Sequence, residues 1–264
     1  AGAWLAGSPR SIETLLARLQ SHGTDALDGD VDPEHAPVSV TMRLSLQDLE
    51  ALDGGEAATD LLRLCAHLDG DGIPDAVLAA YSDRAIAALC ALSLASRDGA
   101  GLWVHRLVQE AIRRTLTAEA PRSWMVRAVE AVAAATPDFS RPDWPSVASL
   151  LPQWRLCAQH VRTAGIASEA AAHVLHQAGR FCRIRALYDE SEALQTSAIA
   201  LTRAVFGASS VALSDAVDEL ACLYRETDRL DEAAPLHAEA VAIARAALGD
   251  RDPVVASRLH NQAL

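Results

Sequence analysis

The sequence predicts a mainly α-helical chain with a single β-hairpin in its first half and a solenoid of repeated helix pairs in its second. Three observations predict it. Apolar residues recur at helical spacing over most of the chain, one short stretch alternates around an Asp-Gly turn, and the C-terminal part repeats at a fixed period without a gap. The composition agrees: 54 alanines and 4% aromatic residues suit packed helices and exclude collagen-like or disordered classes.

The elements follow in order. Ser8 and Pro9 form an N-cap and first-turn pair ahead of the stripe Ile12, Leu15, Leu16 and Leu19. Residues 23–39, rich in glycine, aspartate and proline, read as a loop. A second helix carries Met42, Leu46 and Leu49, and a third carries Leu61, Leu64, Cys65 and Leu68. GDGIP at 70–74 turns the chain, and residues 75–92 supply a short helix and another centred on Ile86, Leu89 and Cys90. LSLAS and LWVH flank the turn residues RDGAG, which is hairpin chemistry. A closing helix follows, with Leu107, Val108, Ala111, Ile112 and Leu116. Helices, hairpin and closing helix describe a winged-helix module at 37–118. A helical connector at 119–166 holds two helices joined by the proline-rich loop TPDFSRPDWP. Trp103, alternating with Leu102 and Val104, reads as packing in the hairpin; the tryptophans at 4, 124, 144 and 154 are candidates for packing or for an interface.

Charge and composition exclude several functions. Lysine is absent, so all 23 basic residues are arginine, and chemistry that needs a lysine is lost: a P-loop, a Schiff base, a Ser-Lys pair. A net charge of −12 and the single arginine on SDRAIAALCALS disfavour direct nucleic-acid contact. No apolar run is long enough to span a membrane, and no signal peptide is visible. The cysteines at 65, 90, 157, 182 and 222 are odd in number, without CxxC, and read as buried small hydrophobes in a reducing compartment. A cytoplasmic protein is expected. GxSxG is absent, and neither the His173/His176 pair nor the Cys157/His160 pair is joined by the further ligands a metal site needs.

The repeat occupies 167–264. Phe206-Gly207 recurs as Leu248-Gly249, Asp189-Glu190 as Asp231-Glu232, Ala198 as Ala240 and Arg203 as Arg245. Each pair is offset by the same interval, that from position 189 to position 231. Each unit is a helix, a tight turn and a longer helix, which buries its apolar face only by stacking on neighbours. Val217, Leu220, Ala221, Tyr224, Ala233 and Ala240 make the central unit resemble the longer, kinesin-light-chain-like tetratricopeptide repeat. The first unit departs from it, with Cys182 for the tyrosine and Ser191 for the small alanine. The last stops at Leu264 inside its first helix, and the chain starts at an alanine, so it is expected to be a fragment.

LWVHRLVQEAIRR, together with VTMRLSLQDLE, LLRLCAHLDGDGIP and LLPQWRLCAQHV, resembles the winged-helix region of bacterial NB-ARC-type (STAND-class) signal-transduction ATPases that carry such repeats. AGAWLAG is similar to the end of their small helical domain, which makes 1–36 a remnant of that domain and a loop. The resemblance implies a nucleotide-dependent switch: ADP or ATP with magnesium bound in the intact parent, none bound by this piece, and possible oligomerisation on activation. It places His105 against the β-phosphate of ADP, with the upstream nucleotide-binding domain as a partner. Arg106 stands where that family usually has an acidic residue. The alternative is that His105 caps helix 106–116 or bonds the hairpin. No Walker motif is present, so ATP hydrolysis by this chain is not expected.

The repeat register sets His173, His176, Arg180 and Arg183 along the concave side of the first unit. Asp215, Asp218, Cys222, Arg225 and Glu226 follow in the second, and Ser257 and His260 in the third. A basic section beside an acidic one suits an extended, mixed-charge peptide, and a solvated polar face is the alternative. Two functions therefore stand: a regulatory fragment of an ATPase switch, whose repeats bind a protein partner or hold the inactive form, or a peptide-binding adaptor or scaffold with no nucleotide role.

Overall fold

The computed structural model describes residues 45–52, 54–116, 120–137, 139 and 143–263. The helix after Ser8, the loop 23–39, Trp4, Met42 and the remnant at 1–36 lie outside the described residues. Among the described residues the fold is mainly helical, with one small antiparallel sheet. It divides into two compact units, the first ending at Ala128 and the second beginning at Val129.

In the first unit, residues 45–50 are helical and bury Leu49. Helix α1 (Gly55–Cys65) turns Leu61, Leu62, Leu64 and Cys65 inward. A 3-10 turn over Asp75–Leu78 leads to α2 (Asp83–Ala91), capped by Ser82, whose Oγ accepts from the Ala85 amide. Strand β1 (Ser96–Asp98) pairs with β2 (Gly101–Trp103), and α3 (Arg106–Thr115) closes the order.

The hairpin is shorter than its sequence suggests. Of LSLAS only Ser96 joins the strand, because Ser93 adopts φ 55° and the amides of Ser93 and Leu94 return to the carbonyls of Cys90 and Leu89. This left-handed cap satisfies the last carbonyls of α2 and takes residues 92–94 out of the sheet. Conversely, GDGIP does more than turn the chain. Ile73 donates to the Leu102 carbonyl at 2.7 Å and accepts from its amide at 2.9 Å, which adds an isolated bridge to β2. The approach is close enough to require Gly101, where a Cβ would stand 2.2 Å from the Ile73 oxygen. Helix α3 is fastened to the end of α1 by Gln109, whose Nε2 donates to the carbonyls of Cys65 (2.7 Å) and Leu68 (2.8 Å).

Helix α4 (Ala120–Ala135) runs across the division between units. The connector then holds two more helices, α5 (Trp144–Ser149) and α6 (Leu151–Ala164), where one was expected. Pro145 and Pro152 each sit in a first turn, and the missing N–H of Pro152 breaks what would be one continuous helix. Trp154 is fully buried, donates Nε1 to Thr136 Oγ1 at 2.9 Å, and meets Phe181 edge-on at 5.5 Å. Trp154 is therefore core rather than interface, whereas Trp144 is partly exposed. Four cysteines are buried as expected, and Cys90 is only half-buried.

The repeats keep their period in three dimensions. Helices α7 (Glu169–Ile184) and α9 (Val211–Glu226) have 16 residues each, and α8 (Tyr188–Phe206) and α10 (Leu230–Leu248) have 19. Helix α11 (Pro253–Ala263) starts one full period after α9. Ser168 and Ser210 cap α7 and α9 through their hydroxyls. The tight turns have one geometry: Ala186 (φ 58°) and Asp228 (φ 60°) are left-handed, and the next amides, Leu187 and Arg229, return to Cys182 and Tyr224. Gly207 and Gly249 end the longer helices at φ 85° and 83°.

A left-handed residue with a Cβ carries a steric penalty of about 1–2 kcal/mol. Ala186→Gly removes that penalty at an exposed position, offset in part by the greater freedom of glycine in the unfolded chain. We expect a gain of roughly 0.5–1 kcal/mol in denaturant unfolding of the second unit. A loss of stability would show that this turn is not the strained element.

Candidate functional site

Successive shorter helices of the solenoid, α7, α9 and α11, line a cavity of about 660 Å³. Its walls include His173, His176, Arg180, Arg183, Asp215, Asp218, Cys222, Arg225 and Ser257, all expected from the repeat register. Glu226 and His260 do not line it; Glu226 instead pairs with Arg183, and His260 is exposed on α11. Glu219, Arg258, Asn261, Gln177 and Phe206 also form the lining and were missed. Glu219 and Asn261 share one position of successive repeats, which was the signal available for finding them.

The charges are largely paired across the stack. Arg183 Nε donates to Glu219 at 2.6 Å, its Nη1 meets Glu226, and Arg180 stands 3.8 Å from Glu219. Arg258 binds Asp215 and also Asp218, the latter at 3.0 Å. The expected acidic section is therefore held from both sides, Glu226 by Arg183 of the basic section and Asp215 and Asp218 by Arg258 of the third unit, which the register reading did not include. Their spacing explains it, since residues nearly one period apart fall on neighbouring shorter helices.

A second polar contact repeats with the period. His176 Nδ1 lies 3.3 Å from Gln195 Oε1, and one unit on, Asp218 Oδ1 lies 3.0 Å from His237 Nδ1. Asp218 Oδ2 also accepts from Asn261 at 2.7 Å. Asp218, Cys222 and His237 are all buried, with potential ligand atoms within 4.8 Å. The Arg258 guanidinium holds the outer edge of the carboxylate, and burial, with Asp218 and Glu219, pushes the Cys222 thiol up to about 11. Asp218 and His237 occupy the slot that His176 and Gln195 fill one unit earlier, with Cys222 at the position of Arg180, so the pair serves as a lock between paired helices.

In the first unit, His105 is exposed and caps α3, its Nδ1 accepting from the Leu107 amide at 3.1 Å. Among the described residues, no helix is long and apolar enough to cross a membrane.

A tetratricopeptide-repeat family model matches residues 170–246, wholly within the second unit and spanning α7 to α10. No curated protein and no solved structure matches the chain. Repeats of this family generally bind protein partners and are generally non-enzymatic.

Burial holds His176 below the ordinary imidazole value of 6.5, against the pull of Glu219 and Asp215. Between its lowered folded value and 6.5, the unfolded chain binds a proton that the folded chain does not. Stability therefore falls as pH drops through that window and is unaffected above it. His176→Gln retains a hydrogen bond to Gln195 without the titration. Urea midpoints at about pH 7.5 and about pH 5.5 should differ less in this variant than in the wild type. Equal losses would remove His176 from the account.

Proposed function

We propose that the second unit binds a segment of a partner protein in the concave groove of α7, α9 and α11. The observation that carries this reading is the shared cavity: three consecutive shorter helices contribute polar side chains to one 660 Å³ space. A polar groove of that size suits an extended peptide, and its mixture of arginine, carboxylate, imidazole and amide groups offers directional bonds. Ala212 is exposed on its wall, so Ala212→Trp fills the space without disturbing an ion pair. Peptides selected on the chain should lose binding to Ala212→Trp and keep it with Arg162→Ala, which is exposed and does not line the groove. Equal binding to both would place recognition elsewhere.

A second reading makes the chain the regulatory part of an NB-ARC-type switch, with the helix–hairpin–helix unit as its winged helix. The cap on α3 supports it. With Nδ1 accepting from Leu107, the neutral ring carries its proton on Nε2, and His105 is exposed. That N–H is available to a phosphate oxygen presented by an upstream nucleotide-binding domain. His105→Asn keeps a capping acceptor and removes the imidazole. In a protein that carries such a domain ahead of this chain, ADP affinity should fall about tenfold at unchanged thermal stability. Unchanged affinity would leave His105 with capping alone.

A further inference from the structure

We infer that the segment taken by the groove is acidic, with carboxylates received by Arg180 and Arg225. This rests on the reading that the groove binds a partner segment and specifies that segment's chemistry. The sequence by itself suggested mixed charge; the pairing within the groove removes that symmetry.

Each carboxylate that α9 presents to the cavity is already held by an arginine of a neighbouring helix. Glu219 is held by Arg183, and Asp215 and Asp218 by Arg258. Arg183 and Arg258 are deeply set, with side chains only 16% and 14% exposed. A basic side chain entering the groove would compete with one of them for a carboxylate already in use, and displacing either would strand a poorly solvated guanidinium. The remaining lining acid, Glu169, is exposed in the first turn of α7, where the helix dipole already favours it.

The two other arginines are differently placed. Among the described residues, no carboxylate oxygen is within hydrogen-bond distance of Arg180 or Arg225. Arg180 approaches Glu219 only to 3.8 Å and lies over the Phe139 ring, 5.3 Å from its centroid. Arg225 donates from Nη1 to the Asn261 backbone carbonyl at 3.1 Å. The reason is legible in the repeat. Arg225 stands one period after Arg183, but its counterpart to Glu219 is the neutral Asn261. Accepting carboxylates there breaks no hydrogen-bonded ion pair, only the longer Arg180–Glu219 approach at 3.8 Å, and each guanidinium retains several N–H donors.

The test selects short random peptides displayed on phage against the full chain at low ionic strength. Arg180→Gln and Arg225→Gln then probe charge, and Ala212→Trp probes groove occupancy. The expected result is enrichment of aspartate- and glutamate-rich peptides blocked by Ala212→Trp. Their affinity should fall about tenfold in each Gln variant and weaken further with salt. Neutral or basic peptides that Ala212→Trp still blocks would overturn the acidic inference and leave the groove reading standing. No enrichment, or enrichment insensitive to Ala212→Trp, would overturn both.

Discussion

The close crossing of paired helices at each repeat is the constraint on which the second unit depends. Ala198 and Ala240 are fully buried, and a Cβ added at Gly179 would lie 2.7 Å from the Gln195 side chain. Residue 221, its counterpart, is an alanine with no exposed surface. Such separations admit only small residues at the contact and leave the next polar pair nowhere to go but toward each other. His176 meets Gln195, and Asp218 meets His237, at the same height in successive units. Even the departure at Ser191 obeys the constraint, since its buried hydroxyl donates to the Gly179 carbonyl at 2.8 Å.

Stacking between units then relies on charge as well as apolar area. Tyr224 and Arg229 both reach Glu192 of the preceding unit, at 2.9 and 2.7 Å, and Arg203 reaches Glu239 of the next at 2.9 Å. These outer pairs are roughly one-third to one-half exposed where the side chains are charged, so each contributes little by itself. Arg183 and Arg258, set more deeply, fix the register of neighbouring shorter helices and shape the groove at the same time. Removing either would leave one poorly solvated carboxylate, Glu219 or Asp218, without its arginine.

Much of this fold was legible from sequence because a gapless period carries its own register: caps, turns and small contact residues recur at fixed offsets. The hairpin was harder. Its Asp-Gly turn was plain, but Leu92 and Leu94 alternate like a strand while the left-handed Ser93 diverts them to closing α2. The bridge between Ile73 and Leu102 joins segments separated by the whole of α2 and β1, which local pattern does not encode. At the site, helix register placed most of the expected side chains on the concave wall, Glu226 and His260 excepted. It could not say which would bond to each other, because that depends on the separation of neighbouring helices and on side-chain length.

Divergence of the repeats at otherwise equivalent positions gives the groove a different polar group at each level. A perfectly repeated unit would present the same polar group at the same depth in every helix, and any ligand could slide along it by one unit. Here one position runs His176, Asp218, His260, and another runs Arg183, Arg225. Glu219 gives way to Asn261, so the first arginine is neutralised and the second is not. The residues at the helix crossing stay small from unit to unit, Gly179 and Ala221 on one helix and Ala198 and Ala240 on the other, while the charge on the concave face changes. Specificity in such a groove comes as much from the ion pairs a wrong ligand would have to break as from the bonds a right one would make.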